Sequence, residues 1–445
     1  MMGGIFVQIP SYRDAQLIPT LLDLIRRSSA PGSISVCICW QHANDETIEN
    51  FTDAGFTYLY SESDDGELIH FFELLGAHIK FIDVNYLDTL GCGWARYRAQ
   101  RHHGNERYSL QIDAHHRFVT GWDTLLIDML ESIRSDYKKP VITGYPPPFY
   151  PDLAGVANDE TVYEMVFDRF SAPGFVHFRP SRIVADTGRP IRSRFLSGGF
   201  IFSDSSFLKD VPNDPAQFFS SEEITRTVRA FMSGYDFFSP HRVILWHQYV
   251  RAGQVKVWDD LTIGRRLDGS IAESAAEKSL RSYDFTVELL KNGLREGHGC
   301  EAVAARHGTV RSLEDYEYFS GIDFRLEAVT LDMVNGHEPE PFRAEREKGR
   351  PKYFRPIHKI VSLPINTFLS VDRERRKSFI VARSVSGTKL FSREVCSSDI
   401  AKVDEGEYLS IALNFLLPPE IEEFEFFLEE EGGLRSDGLI SQDIF

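Results

Sequence analysis

The stretch Tyr108-Ser-Leu-Gln-Ile-Asp-Ala-His-His-Arg-Phe118 decides how this chain is organised. Tyr108–Ile112 is an apolar run of strand length that leads straight into Asp113. Asp113 and His115 therefore sit just past the carboxyl end of a strand. In open α/β sheets that end is where ligands bind. An acid and an imidazole at alternate positions can reach one divalent ion together. An oxygen and a nitrogen donor suit Mn2+ better than Mg2+. A polar strand terminus with a chance histidine gives the same short pattern, so spacing alone does not choose between the two.

Outward from this point the N-terminal part alternates strand and helix signals. Ile5–Ile9 is a short apolar run that Pro10 is expected to end. Leu17, Leu21, Leu24 and Ile25 recur at helical spacing. Ile34–Trp40 and His78–Val84 have the character of buried strands. Trp94–His102 predicts a helix carrying Arg96, Arg98 and Arg101. Trp122–Ile133 predicts another helix, and Val141–Thr143 a further strand. This alternation is that of a mostly parallel α/β sheet flanked by helices.

From Tyr145 the pattern changes. Tyr145–Pro151 is too rich in proline for a regular element. The sequence to Arg194 predicts loops. Gly199–Ser203 predicts a strand and Glu222–Met232 a helix, while Val243–His247 and Val255–Trp258 are short apolar segments. Residues 260–330 are expected to form a helical extension, with apolar spacing in Phe285–Leu294. The segment His337–Pro351 is rich in Glu, Arg and Pro, which suits a linker over 331–351. Stretches such as Ser378–Ala382 and Tyr408–Leu416 predict a small β-rich domain over 352–445.

Composition limits the function. Of the 445 residues, 42% are hydrophobic and 13% aromatic, enough for a large core in two or three domains. The net charge of -17 argues against nucleic acid and anionic membranes as partners. It does not oppose a diphosphate held by a metal ion and a few arginines. Cys37, Cys39, Cys92, Cys300 and Cys396 show no paired spacing, so reduced thiols and a cytoplasmic location are expected. No run has the length of a membrane span. Phosphate-loop, nucleophile-elbow, zinc-protease and dinucleotide signatures are all missing.

Several motifs recur in a fixed order. They are Val7-Gln-Ile-Pro-Ser-Tyr-Arg-Asp14, Ile38-Cys-Trp-Gln41, Gly91-Cys-Gly-Trp-Ala-Arg-Tyr-Arg98, Asp113-Ala-His115, Leu196-Ser-Gly-Gly-Phe200, Trp246-His-Gln-Tyr249 and Leu313-Glu-Asp-Tyr-Glu-Tyr-Phe-Ser-Gly-Ile-Asp-Phe324. Together they resemble glycosyltransferase family 60, across roughly residues 4–325. That family holds hydroxyproline-directed UDP-GlcNAc:polypeptide transferases of protists and many bacterial relatives. The resemblance implies a GT-A fold over residues 1–330, with Asp113-Ala-His115 as a variant of the DxD metal motif. It does not reach the C-terminal region.

The resemblance also implies roles. Polypeptide GalNAc-transferases use DxH too, and they complete the metal site with a later histidine. His247 lies in the matching order, with His241 as competitor. Ser11, Tyr12, Arg13 and Gln41 are the expected nucleotide contacts. Arg96 and Arg98 are candidates for two-pronged phosphate binding, although either could lie on a solvated helix face. Gly198 and Gly199 are expected in the wall of the donor-sugar pocket, where a plain turn is the blander reading. Glu222 and Glu223 open a helix, and the dipole alone would favour acids there. The GalNAc-transferases carry a Glu in a comparable place, which implies that one of these carboxylates touches sugar hydroxyls or the acceptor.

The expected reaction is transfer of GlcNAc from UDP-GlcNAc to a hydroxyl of a protein acceptor, with Mn2+ or Mg2+. The resemblance implies retention at the anomeric carbon. Two other functions stay open: a non-catalytic glycan- or partner-binding protein on a degenerate fold, and a transferase acting on lipid or polysaccharide. The C-terminal domain could dock the acceptor or make a homo-oligomer.

Overall fold

The computed structural model describes residues 3–151, 159–171, 175–183, 188–251, 253–292, 308, 310–343, 351–364, 378–395, 408–430, 433–435 and 440–443. Cys300, Cys396, the end of Phe285–Leu294 and part of the expected linker lie outside them. Two compact units are present. One comprises Met1–Asp168, Phe178–Ser320 and Gly336–Arg346, the other Arg169–His177, Gly321–Asn335 and Glu347–Phe445.

In chain order the strands of the N-terminal half are β1 (Ile5–Tyr12), β2 (Ile34–His42), β3 (Thr57–Asp64), β4 (Glu67–Leu74), β5 (Ala77–Asn85), β6 (Tyr108–Ile112), β7 (His116–Phe118), β8 (Pro140–Thr143), β9 (Tyr163–Ser171), β10 (Phe175–Arg182), β11 (Ile191–Ser193), β12 (Phe200–Asp204), β13 (Asp236–Ser239) and β14 (Leu245–His247). The helices are α1 (Leu17–Arg26), α2 (Glu49–Asp53), α3 (Cys92–Gln100), α4 (Trp122–Ile133), α5 (Ser206–Asp210) and α6 (Glu222–Met232). Ten strands form one sheet in the order β11-β13-β8-β12-β6-β1-β2-β5-β4-β3.

This sheet is mixed. Its centre, β5-β2-β1-β6, is parallel. Beyond β6, β12 runs antiparallel to both β6 and β8. The central strands are covered on both faces, which is why they read as continuous apolar runs. Ile5, Val7 and Ile9 of β1 face a core with Leu21, Val36, Phe81 and Leu126. Phe6 faces the other way, with Cys37, Cys39, Ile82 and Ala99. Cys37, Cys39 and Cys92 are free thiols.

Pro10 does not end β1, which continues to Tyr12 beside β2. The pairing of β1 with β6 stops at Gln8 opposite Gln111, so a missing N–H on that side costs no ladder bond. The same early stop opens a crevice. On one side stand Ser11, Tyr12, Arg13 and Asp14, and on the other Asp113, Ala114 and His115. Sheet direction reverses on the other side of β6, between β6 and β12.

Other elements differ from expectation. β3 and β4 form an antiparallel hairpin on the sheet edge. Every residue of β3 is exposed, so no burial pattern marks it. β9 and β10 lie in the stretch expected to be loops. Val257–Asp260 is a short helix. It is followed by helices Ile263–Leu267, Ala275–Val287 and Leu313–Ser320. Among the described residues no helix is long and apolar enough to cross a membrane.

The second unit is β-rich. One sheet joins Ile322–Asp323, Ala328–Thr330, Tyr353–Pro364, Tyr408–Leu417 and Ile440–Asp443, and another joins Ser378–Ser384, Lys389–Glu394, Phe424–Glu430 and Gly433–Arg435. Val361, Ile411 and Leu413 of the first share a core with Ile380, Phe426 and Leu428 of the second, as in a β-sandwich. The start of the expected linker is regular structure. Leu331–Val334 is a helix capped by the Thr330 hydroxyl, and Ala328–Thr330 pairs with Tyr353–Pro364. Residues 321–335 therefore group with the C-terminal strands.

Candidate functional site

Asp113 is the first residue past β6. The chain then turns into β7, which pairs with β14 so that His116 faces His247. The Gln248 N–H donates to the His115 carbonyl at 3.1 Å. This small ladder carries His247 to a motif 132 residues earlier, at Asp113 to His115. The donor atoms of Asp113, His115 and His247 all lie within 4.8 Å of one another. The competitor, His241, is outside this group.

Both ring nitrogens of His247 are buried without a hydrogen-bond partner. The Asp113 Oδ2 stands 3.5 Å from His247 Nε2, which is too far for a good hydrogen bond. A buried orphan imidazole beside a carboxylate and a second imidazole fits a divalent cation. Burial pushes His247 down to about 4, outweighing the pull of Asp113. It is therefore neutral near pH 7, as a metal ligand must be. Burial disfavours the charge on Asp113, yet Arg96 and the two histidines hold its carboxyl well below the usual range.

The ligands have supports that were not singled out in the sequence. Asp14 Oδ2 lies 2.8 Å from His115 Nδ1 and 3.0 Å from Arg251 Nη1. That leaves His115 Nε2 to face the cluster. Burial works against the Asp14 charge, but His115, the Gln16 N–H and Arg251 hold its carboxyl below the ordinary value. Asp14 closes the first-strand motif, so its position was visible while its partner was not. Arg251 follows His247 by four residues and carried no signal of its own.

Arg96 is buried on α3. Its Nη2 donates to Asp113 Oδ1 at 2.8 Å, and its Nη1 pairs with Glu222. It therefore orients the metal-site carboxylate rather than offering a free fork to phosphate. Arg98 is not brought to the site. Its Nε donates to Glu67 Oε1 at 2.6 Å, and its guanidinium lies over Trp94. Residues two apart on a helix point to different faces, so one of the two arginines had to turn away.

Gly198 and Gly199 leave room that side chains would fill. A Cβ on Gly199 would lie 2.9 Å from Asp113 Oδ2, and one on Gly198 would collide with Glu222 Oε1. The Gly198 N–H donates to Glu223 Oε1 at 2.7 Å, and its carbonyl accepts from Gln111 Nε2 at 2.6 Å. Glu223 also accepts from the Tyr145 hydroxyl at 3.1 Å. Burial raises the Glu223 carboxyl to about 7. Glu222 and Glu223 thus differ in environment: one sits on a guanidinium, the other on a main-chain N–H and a phenol.

On the far side of the crevice, Gln41 Nε2 donates to the Ser11 carbonyl at 3.0 Å, and the Arg13 N–H donates to the Gln41 carbonyl at 2.9 Å. The Ser11 hydroxyl is buried without a partner. Tyr12 Oη and Arg13 Nη1 both donate to Asp260 Oδ2 at 2.9 Å. Arg13 reaches it from a positive φ of 44° and lies over the Tyr86 ring. Asp260 was not anticipated. It belongs to the short helix Val257–Asp260, in a segment whose helical form the apolar pattern did not show.

The chain matches no curated protein. Among solved structures it is similar to GalNAc-T7 with UDP, GalNAc and Mn2+, at 11% identity and a TM-score of 0.51. That match covers 77% of this chain and 60% of the other, so this chain spans less than two thirds of that structure. Weaker likenesses are to S. aureus TarS 1-349 (13% identity, TM-score 0.35, 71% and 72% covered) and to the mannosyltransferase PcManGT from Pyrobaculum calidifontis with GDP-Man and Mn2+ (12%, 0.37, 70% and 70%). At 11% identity the likeness to GalNAc-T7 shows the fold alone, the GT-A fold of a mixed α/β sheet flanked by helices. A model of the family described as "Glycosyltransferase (GlcNAc)" matches residues 4–326, and the chain belongs to that family of glycosyltransferases.

Proposed function

We propose that the protein transfers N-acetylglucosamine from UDP-GlcNAc to a hydroxyl of a protein acceptor, with retention, and that Asp113, His115 and His247 hold the Mn2+ or Mg2+ ion it needs. The observation that carries this is the convergence of those three donors within 4.8 Å at the carboxyl end of β6. The family's name supports GlcNAc, and the fold relative GalNAc-T7 was solved with UDP, GalNAc and Mn2+. The hydroxyproline-type acceptor of family 60 is the narrowest form of the proposal.

In the reaction the bond from the anomeric carbon to the diphosphate breaks and a bond to the acceptor oxygen forms. The departing UDP takes the electron pair of the broken bond, and the acceptor's hydroxyl proton is released with it, so that UDP-GlcNAc and the hydroxyl give the glycoside, UDP and a proton. A bound divalent ion supplies Lewis-acid neutralisation of the departing diphosphate. The chain's own groups prepare the site. Arg96 fixes the Asp113 carboxylate, and Asp14 fixes the His115 ring. Arg251, with Nη1 on Asp14, brings a second cation to the place where negative charge develops. Gly198 and Gly199 keep a side-chain-free wall beside Asp113. Tyr12, Arg13 and Gln41 shape the end of the crevice that suits the nucleoside. Glu222 and Glu223 stand opposite as acceptor- or sugar-facing acids.

The test is UDP release from UDP-GlcNAc with and without Mn2+, together with mass spectrometry of hydroxyl-bearing peptides. Metal-dependent release and peptide mass gain of one N-acetylhexosamine are expected, and both are lost in Asp113→Ala. Full activity in that variant, or no affinity for UDP, would remove the proposal.

A further inference from the structure

Gly198 is gripped at both of its main-chain polar groups by side chains. Its N–H donates to Glu223 Oε1 at 2.7 Å, and its carbonyl accepts from Gln111 Nε2 at 2.6 Å. The two N–H groups before it are held in the same manner. Leu196 donates to the Thr227 hydroxyl and Ser197 to the Thr143 hydroxyl, both at 2.9 Å. Side chains of β6, β8 and α6 thus fix the turn that leads into β12.

Gln111 stands opposite Gln8 where β1 and β6 pair. Alternation along β6 sends Leu110 and Ile112 into one core and Gln111 to the other face. There its Oε1 accepts from Gln8 Nε2 at 3.1 Å, from Asn213 Nδ2 at 3.2 Å and from Arg226 Nη1. Arg226 Nη1 also donates to Asn213 Oδ1 at 2.7 Å, and Asn213 Nδ2 to Gln100 Oε1 at 2.8 Å. A guanidinium only donates and a carbonyl only accepts. The amide therefore has one orientation, oxygen to Arg226 and nitrogen to Gly198. Gln8, Gln111 and Asn213 are 1% exposed and Arg226 3%, too little for solvent to replace a lost partner.

We infer that Gln111 is a positioning residue for the transferred sugar, acting through the Gly198 carbonyl to set the Gly198–Gly199 wall against Asp113. The inference rests on the glycosyltransferase reading above and gives a role to a side chain outside its ligand set. The wall has little slack. A Cβ on Gly199 would stand 2.9 Å from Asp113 Oδ2, so the turn already abuts the carboxylate. Release of the Gly198 carbonyl would let the turn shift relative to Asp113, and a displacement of about 1 Å costs on the order of a hundredfold in rate.

Packing and positioning make different demands on this amide. Packing needs only the oxygen that Gln8, Asn213 and Arg226 share. Positioning needs the N–H group that reaches Gly198. Gln111→Glu keeps the oxygen, pairs it with Arg226, and turns a second oxygen against the Gly198 carbonyl. Gln111→Met removes both functions and adds no charge.

The experiment measures UDP release from UDP-GlcNAc with Mn2+, UDP affinity by calorimetry with Mn2+, and the urea midpoint of wild type and both variants. Both variants should lose on the order of a hundredfold in kcat/KM for UDP-GlcNAc, while UDP affinity stays within about twofold of wild type. Gln111→Met should lose stability, and Gln111→Glu should keep a midpoint near that of wild type. Wild-type turnover in Gln111→Glu overturns the inference, because the network then only packs. Loss of UDP affinity in step with turnover also overturns it, since the whole site rather than the sugar wall would depend on Gln111. So does failure of both variants to fold. A wild type that releases no UDP instead sinks the glycosyltransferase reading, and this inference with it.

Discussion

His115 Nδ1 lies 2.8 Å from Asp14 Oδ2. The contact fixes which ring nitrogen carries the proton and which is left for a metal. A carboxylate behind a ligating histidine orients the ring and raises its basicity, and losing it costs about 10- to 100-fold in metal affinity. Asp14→Asn should therefore weaken Mn2+ binding by that factor, measured by calorimetry on protein shown to be folded. Unchanged affinity would mean that Asp14 serves Arg251 and packing only.

Gly199 faces Asp113 with no room for a methyl group. A Cβ there would stand 2.9 Å from Asp113 Oδ2, closer than carbon and oxygen tolerate. The carboxylate must move, and a displaced reacting group costs on the order of a hundredfold in rate. Gly199→Ala should therefore cut Mn2+-dependent UDP release by one to two orders of magnitude while the thermal midpoint moves little. The test is the pair of measurements together: a large loss of stability with normal specific activity would contradict it.

Arg96 bridges Asp113 and Glu222. All three groups are largely buried, so removing the guanidinium leaves two carboxylates facing each other in low dielectric. Breaking such a pair costs about 3–5 kcal/mol. Arg96→Met should lower stability in urea unfolding by that order and abolish activity. Arg96→Lys keeps the charge but cannot bridge both acids, so it should recover part of the stability and little of the activity. Equal stability of wild type and Arg96→Met would show that the two acids are protonated or solvated instead.

The parts of the fold that could be read from sequence are those whose burial leaves a pattern. β1, β2, β5 and β6 are covered on both faces and stand out as apolar runs. β3 has no buried position, and Thr57–Asp64 therefore carries no periodicity to find. Asp113 and His115 were legible because they share one strand end. The third histidine was legible only through motif order, since β7 and β14 meet by a tertiary pairing. Asp14 and His115 are 101 residues apart, and no local rule links them. The sequence offers Arg96 as a candidate for phosphate, but residue type does not reveal that it faces Asp113 and Glu222. For the same reason Arg98, paired with Glu67, could not be told from Arg96 before the helix was placed.

Glu223 supplies a pH signature. Burial lifts its carboxyl from 4.5 to about 7. Below pH 4.5 the group is protonated in both folded and unfolded chains, and its contribution to stability is fully present. Between 4.5 and 7 the folded protein keeps a proton that the unfolded chain has released. Stability therefore falls as pH rises through that window, by up to about 3 kcal/mol. Above pH 7 the cost is complete, because the ionised carboxylate is then buried against the Gly198 N–H and the Tyr145 hydroxyl. Glu223→Gln keeps an acceptor for Gly198 and cannot ionise. Its stability relative to wild type, from urea unfolding without metal, should rise steadily from pH 4.5 to 7 and then level off. A wild-type-to-variant difference that stays flat across this interval would show that Glu223 ionises in the folded protein as freely as in water, and that Tyr145 and Gly198 hold a carboxylate rather than an acid.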